Sequence, residues 1–319
     1  MLVFTPGARG RKARVAWIAA ALVGLPIAAG GLVALWYFHR PTPPPFSSRP
    51  LFKGIAYERD VRFTPRPLVT TIVTIDLDAP GLSFLVTPLA PDSGGVARGE
   101  TVSDFLVRQR AQLAINGDFF LPWWSDGPTD YYPHAGWPTD VLGLAVSGSD
   151  VYGWRVMPYA SLLFHEDGGV TIEEGRGVGT PLPRAKMVLS GKQIVVDQGA
   201  ITPVCAASEA ARAKHPRTAA ALDRTGKKLI LFAADGRQPG YSEGASLAEL
   251  AQIIVDHGGF RALNLDGGGS TTVAIEDGRG GARVLNRAFH TRIPGRERPV
   301  ANHLAVFAER IDGEAPALW

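Results

Sequence analysis

Leu263-Asn264-Leu265-Asp266-Gly267-Gly268-Gly269-Ser270-Thr271-Thr272 is the stretch from which the fold of this chain is read. A short apolar strand stops at a carboxylate, three glycines follow, and three hydroxyl side chains come after them. Adjacent glycines cost backbone entropy, so they mark a place where the backbone must come close to something or adopt positive φ. Amides exposed in such a turn form a concave nest that holds an anion. A tight strand-to-strand turn without a ligand is the plainer reading of the same residues.

Four other stretches carry related signals. Asn116-Gly117-Asp118-Phe119-Phe120 also closes an apolar strand, Gln112 to Ile115. Pro216-Arg217-Thr218-Ala219 opens a hairpin, and Asp235-Gly236-Arg237 ends one. Arg298 and Asn302-His303 precede the last strand. Together these motifs resemble the phosphodiester glycosidase family, whose best-known member, the uncovering enzyme, removes N-acetylglucosamine from a sugar-1-phosphate diester. The resemblance runs from about Ile72 to Ala308 and is strongest from Pro216 onward. It implies hydrolysis of a sugar-1-phosphodiester at the glycosidic bond, on a phosphorylated glycan or exopolysaccharide. A non-catalytic carbohydrate- or polymer-binding module of the same fold is the alternative. A phosphatase or nuclease acting at phosphorus is disfavoured, because the clustered acids and histidines of such metal sites are not evident.

Cleaving that bond releases a phosphate monoester, already a fair leaving group. The site then needs anion recognition, a carboxylate near the anomeric carbon and polar groups that orient the sugar. Arg217, Arg237 and Arg298 lie in the family-like motifs, and guanidinium offers a planar donor fork that matches phosphate oxygens. Asp266 is the first catalytic candidate, Asp235 the second and Asp118 the third. The family tolerates glycine where Asp118 stands. Asn116 and Asn264 are candidates for sugar or phosphate oxygens, and Ser270 and Thr271 for phosphate beside the Gly267, Gly268 and Gly269 amides. A loop rich in aromatics and proline, Trp123-Trp124 to Trp137, is read either as a cover over the site or as core. His134, His257, His290 and His303 lack the spacing of a zinc site. No cofactor is required by this reading. A divalent cation held by oxygen ligands near Asp235 or Asp266 is left open.

The 319 residues are 45% hydrophobic and 20% charged, enough for one large domain or two small ones. The net charge of +3 is too small to argue for nucleic acid, and no basic stripe interleaved with aromatics is present. The single Cys205 excludes an intramolecular disulfide and a cysteine-rich metal site. Arg9, Arg11, Lys12 and Arg14 precede an uncharged apolar run from Val15 to Phe38, about long enough to span a bilayer. The basic cluster favours a cytoplasmic N-terminus. The expected organisation is a cytoplasmic segment at 1–14, a signal-anchor helix at 15–38 and a proline-rich linker at 39–50. A periplasmic or extracellular catalytic domain at 51–310 and a tail at 311–319 follow. A cleaved signal peptide is the alternative for the N-terminus.

The rest of the chain predicts α+β structure: twisted, mostly antiparallel sheets with a few packed helices. Hairpins are expected at Ser161–His165 with Val170–Glu173, at Lys186–Leu189 with Gln193–Val196, and at Thr218–Leu222 with Lys228–Ala233. Helices are expected after Thr101 and after Ser246, the latter opening Ser-Leu-Ala-Glu as a capping box. Each helix leads into a short strand ending in Asn, at Asn116 and Asn264. This is read as a degenerate internal pseudo-repeat, with chance recurrence as the alternative. The repeat predicts that the two distant turns share one site.

Overall fold

The computed structural model describes residues 8–38, 41–90, 93–153, 159–175 and 185–311. Parts of the expected N-terminal segment and linker, and nearly all of the tail, lie outside them. The largest sheet has eight strands. Their order across it is Phe46–Phe52, Ile55–Arg62, Leu68–Asp76, Lys228–Ala234, Arg217–Asp223, Gly259–Leu265, Gln193–Asp197 and Ala200–Ile201. A second sheet orders Ala282–Val284, Val273–Glu276, Leu113–Asn116, His303–Phe307 and Ser83–Val86. A third orders Asp150–Tyr152, Ala145–Ser147, Ala185–Ser190, Ser161–His165 and Val170–Glu173. Every strand pair in these sheets is antiparallel, so the fold is α+β as the alternation of its hairpins predicts.

Period-two alternation builds the layers. In Lys228–Ala234, Leu229, Leu231 and Ala233 face one core, while Ile230, Phe232 and Ala234 face another. The first core joins the large sheet to the second and third sheets through Leu113, Ile115, Leu162, Leu189, Leu263 and Leu304. The second core lies under the helix Leu247–Asp256, which buries Leu247, Leu250, Ala251, Ile253 and Ile254 on it. Burying each of its larger aliphatic side chains contributes about 1.5–3 kcal/mol. That helix starts where its sequence says it must. Ser246 Oγ accepts from the Glu249 amide at 3.2 Å, and Glu249 Oε2 accepts from the Ser246 amide at 2.9 Å. The helix Val102–Gln109 starts at Thr101 and covers the outer face of the second sheet with Val102, Phe105 and Leu106.

The two helix–strand–turn units do converge. The Asp266 amide donates to the Gly117 carbonyl at 3.0 Å, and Asn116 Nδ2 donates to the Asp266 carbonyl at 2.7 Å. The hairpins at 161–173 and 217–234 form. The one expected at 186–196 does not. Ala185–Ser190 pairs within the third sheet, whereas Gln193–Asp197 pairs with Gly259–Leu265 in the large one. The Ser190-Gly191-Lys192 turn therefore passes the chain between sheets. Its backbone runs against another strand: a Cβ on Gly191 would stand 2.5 Å from the Asn264 carbonyl oxygen.

Residues Ala8–Phe38 form a helix with Pro26 inside it. Leu22, Leu25, Ile27, Leu32 and Leu35 on it are exposed. Among the described residues, no helix is long and apolar enough to cross a membrane.

Candidate active site

A cleft of about 440 Å³ opens beside the converged turns, lined by Trp123, Ser125, Arg237, Gly269, Phe289, His290, Thr291, Arg292 and Arg298. One wall is a short ribbon in which Phe289–His290 pairs with Ile293–Pro294. Its two-residue turn holds Thr291 at φ 50° and Arg292 at φ 62°. A turn of this kind normally takes Asn-Gly. A β-branched residue held there costs on the order of 1–3 kcal/mol, strain of the kind that accumulates at functional sites.

Arg298 forms the floor, with Asp266 paired to it from behind. Arg298 Nη2 donates to Asp266 Oδ2 at 2.8 Å, and Ser270 Oγ donates to the same oxygen at 2.6 Å. Arg298 Nε reaches Ser270 Oγ at 3.0 Å, and Nη2 also contacts that hydroxyl. The guanidinium carbon stands 5.1 Å from the Phe120 ring centre and 5.3 Å from that of Trp123. Arg298 is 6% exposed and Asp266 9%. Asp266 thus lies directly behind Arg298, with a small part of its surface open.

The glycine run is needed for shape, and the Gly267 and Gly268 amides serve the fold. Gly268 has φ +62°, and a Cβ on Gly267 would stand 2.6 Å from the Pro216 carbonyl oxygen. The Gly267 amide donates to Asp266 Oδ1, Gly268 to Pro216, Ser270 to Gly267 and Thr271 to Gly268. Those four donors are committed inside the turn, while Gly269 itself lines the cleft. Positive charge around the cleft comes from the Arg237, Arg292 and Arg298 side chains.

The structure sorts the remaining candidates. Arg237 lines the cleft; its Nη2 meets His215 Nδ1 at 3.1 Å, and a Cβ on Gly268 would lie 3.2 Å from it. Arg217 does not line it. Its donors go to the carbonyls of Ala245, Ala210 and Ala213 at 2.8–3.0 Å, so it pins the segment before its own strand. Asp235 is 1% exposed. Both of its oxygens are taken, by Tyr241 Oη, Asn286 Nδ2 and the Arg287 amide. It fixes the root of the segment that carries His290, and it does not open on the cleft. Asp118 is equally buried; Oδ1 accepts from the Phe119 amide and Oδ2 from the Gly143 amide, each at 2.7 Å. Asn116 is a knot: besides holding Asp266, its Oδ1 accepts from Thr218 Oγ1 and the Thr272 amide at 3.1 Å. Thr218 Oγ1 also reaches Thr271 Oγ1 at 3.2 Å, which keeps Thr271 inside that knot. Asn264 is 3% exposed, and its Oδ1 has no hydrogen-bond partner.

Burial and like charge shape the electrostatics. The Arg237 pKa is drawn down by burial and by Arg298. Burial draws Arg298 down against the pull of Asp266. Asp266 itself is raised, because burial outweighs Arg298 and Ser270. Asp118 is pushed up to about 8 by burial, with a contribution from Asp266. His290 falls to about 3 through burial, then Arg298, Arg296 and His134, so its imidazole is neutral at physiological pH. The cleft therefore holds more positive charge than its own carboxylate balances.

Among the described residues, no three His, Cys, Asp or Glu side chains are grouped to hold a metal ion. A cation at Asp235 would have to displace four hydrogen bonds from three groups, and one at Asp266 would compete with Arg298.

Phe289, His290, Thr291 and Arg292 are the cleft residues that motif reading passes over. Histidines weighed only by zinc spacing miss a lone neutral imidazole, and Thr-Arg is not a turn signature. The basic cluster from Arg287 to Arg298 was the available signal. The Trp123 end of the aromatic loop does reach the cleft.

A model of the phosphodiester glycosidase family matches residues 109–307. An uncharacterized protein derived from the SPbeta prophage of Bacillus subtilis (strain 168), YomE, is 26% identical over 190 residues, 57% of this chain and 27% of that protein. The chain thus spans about a quarter of that relative's length. A hypothetical protein from Synechocystis superposes with TM-score 0.62 at 20% identity, over 84% of this chain and 64% of that one. The zebrafish N-acetylglucosamine-1-phosphodiester alpha-N-acetylglucosaminidase catalytic domain, auto-inhibited by its pro-peptide, gives 0.58 at 20% identity, over 85% and 86%. At these identities the two structures share the fold.

Proposed function

The chain belongs to the phosphodiester glycosidase family, and within it we propose a hydrolase that cleaves a sugar-1-phosphodiester of a phosphorylated glycan at the glycosidic bond. Arg237 and Arg298 hold the phosphate. Asp266 presents its carboxylate toward the anomeric carbon, and Trp123, Phe289 and neutral His290 frame the sugar. As the bond between the anomeric carbon and oxygen breaks, the phosphate monoester takes the electron pair. Its growing charge falls on donors already fixed in place, which is where preorganised electrostatics acts most strongly. Water supplies oxygen to the anomeric carbon, and its proton passes to a carboxylate. Asp118 and Asp235 support the site from behind.

One observation carries the reading: Arg237 and the buried Arg298 line one cleft, the charge of Arg298 draws the Arg237 pKa down, and the single carboxylate beside them, Asp266, is paired with Arg298. A dianion or diester monoanion there relieves that repulsion. Hydrolysis of a chromogenic sugar-1-phosphodiester in water enriched in oxygen-18 tests it. Label in the sugar supports the reading, and label in the phosphate refutes it. A binding module without turnover is favoured by a specific feature, the engagement of both Asp266 oxygens by Arg298, Ser270 and Gly267. Absence of product after prolonged incubation, with the diester still bound, would establish that alternative.

Anchoring through residues 15–38, with the domain outside the cytoplasm, belongs to the same proposal. It rests on the sequence alone, on the uncharged apolar run and the basic cluster before it, since no helix among the described residues is long and apolar enough to cross a membrane. Protease added to intact cells should remove the domain; full protection would refute the orientation.

A further inference from the structure

The aromatic loop beside the cleft continues well beyond it. Trp123, Trp124 and Trp137 are 53%, 40% and 44% exposed. Their neighbours form an unbroken chain of ring contacts: Trp124 to Tyr132 at 4.7 Å, Tyr132 to Trp137 at 5.2 Å, Trp137 to His134 at 4.5 Å, and His134 to Tyr131 at 4.1 Å. Tyr131 then meets His290, a cleft residue, at 4.8 Å. Surface aromatics gathered in one place mark a binding surface more often than a packing remainder.

The loop is also held firm. Trp124–Ser125 pairs with Tyr131–Tyr132 as a small ribbon. Trp124 Nε1 donates to Asp130 Oδ1 at 3.0 Å, and Tyr132 Oη donates to the Pro138 carbonyl at 2.6 Å. Arg296 Nη1 donates to the Pro128 carbonyl at 2.7 Å, tying the loop to the cleft wall. A rigid surface needs little ordering when it is covered, and this favours affinity.

We propose that this surface is a platform for sugar units beyond the one being cleaved, so that the substrate is a chain of sugars and not a small diester. The proposal rests on the reading of the cleft as a sugar-phosphodiester site. A cleft of about 440 Å³ takes roughly one sugar phosphate and little more, in line with the small-ligand range. Further units must leave it over a wall, and the His290 wall is continuous with the exposed rings through Tyr131. Sugar rings present C–H faces that stack on indole, while their hydroxyls remain in water. That combination explains large aromatics left half exposed.

The test uses the full-length protein and N-acetylglucosamine-1-phosphate oligomers of one, two and four units. A methylene replaces each bridging glycosidic oxygen so that nothing is cleaved. Affinity by calorimetry should rise about tenfold or more from one unit to four, a gain of about 1.4 kcal/mol or more. Trp137→Ala and Trp124→Ala should remove that gain and leave the monomer's affinity unchanged. Trp124→Phe, which keeps a ring against Tyr132, should retain most of it. Affinity independent of length overturns the platform, and so does an equal loss for monomer and tetramer. Length-dependent binding without hydrolysis of the natural linkage would refute the catalytic reading and leave the platform standing. Hydrolysis with flat affinity would do the reverse.

Discussion

Replacing Arg298 by Met keeps most of the side-chain length and removes the charge. In the native protein Arg298 and Asp266 are both nearly sealed from water and share a 2.8 Å contact. Breaking such a pair from one side costs about 3–5 kcal/mol, because the other charge stays buried without a partner. Asp266 would still receive Ser270 Oγ and the Gly267 amide, which places the expectation near the lower end of that range. For a domain of this size each kcal/mol moves the melting temperature by about 2–4 °C, so a fall of roughly 6–15 °C is expected. The loss should depend on pH. Burial already raises the Asp266 pKa in the folded protein, and removing Arg298 raises it further. A group raised on folding contributes stability below its unfolded pKa and loses that contribution as pH rises through the folded value. Arg298→Met should therefore be worse at pH 8 than at pH 5. The double variant Arg298→Met with Asp266→Asn should recover much of the deficit while staying inactive, since neither charge remains. Denaturant melts followed by tryptophan fluorescence at both pH values give the four free energies of the cycle. The reasoning is refuted by a single variant within about 0.5 kcal/mol of the parent, or by a double variant no better than Arg298→Met.

Other outcomes follow from the same geometry. Asp266→Asn should lower hydrolysis per folded molecule by at least about a hundredfold, the scale of a positioned acid–base group; near-normal turnover would remove Asp266 from the chemistry. Arg237→Lys should raise KM for a phosphodiester by about tenfold or more, since charge-assisted hydrogen bonds are worth about 1.5–3 kcal/mol. Arg217→Lys should instead lower the melting temperature with little change in KM, because that side chain holds three carbonyls. Asp118, pushed up to about 8, makes the native state lose stability as pH rises from about 4 toward 8. Asp118→Asn should flatten that slope in denaturation measured from pH 5 to 8, even if the variant is less stable overall, and an unchanged slope would show that Asp118 is ionised throughout.

The layering was legible because strand alternation and hairpin spacing are local signals, and so were the Ser246 cap and the meeting of the Asn116 and Asp266 turns. The false hairpin at 186–196 shows where locality fails. Ser190-Gly191-Lys192 has the composition of a hairpin turn, yet its glycine is there to pass the Asn264 carbonyl, a contact 73 residues away. The site divides in the same way. Arg237 and Arg298 stand in comparable motifs to Arg217, but a side chain's direction depends on which carbonyls lie within its reach, and Ala210, Ala213 and Ala245 claim Arg217. Asp235 looked catalytic because it ends a strand before glycine. Its partners Asn286 and Arg287 lie some fifty residues on and give it a supporting task.

The strand His303–Phe307 has consequences for how the chain reaches its native state. It lies between Leu113–Asn116 and Ser83–Val86 in the second sheet, so an interior position waits for nearly the last described residues. Until those residues are available, two strands made much earlier expose unpaired edges, which invite pairing with other chains. Contacts this distant in sequence slow folding and lengthen the exposure. The sheet should therefore close only after His303–Phe307 has been synthesised. A chain stopped at Asn302 should accumulate in aggregates even though it retains every residue of the cleft.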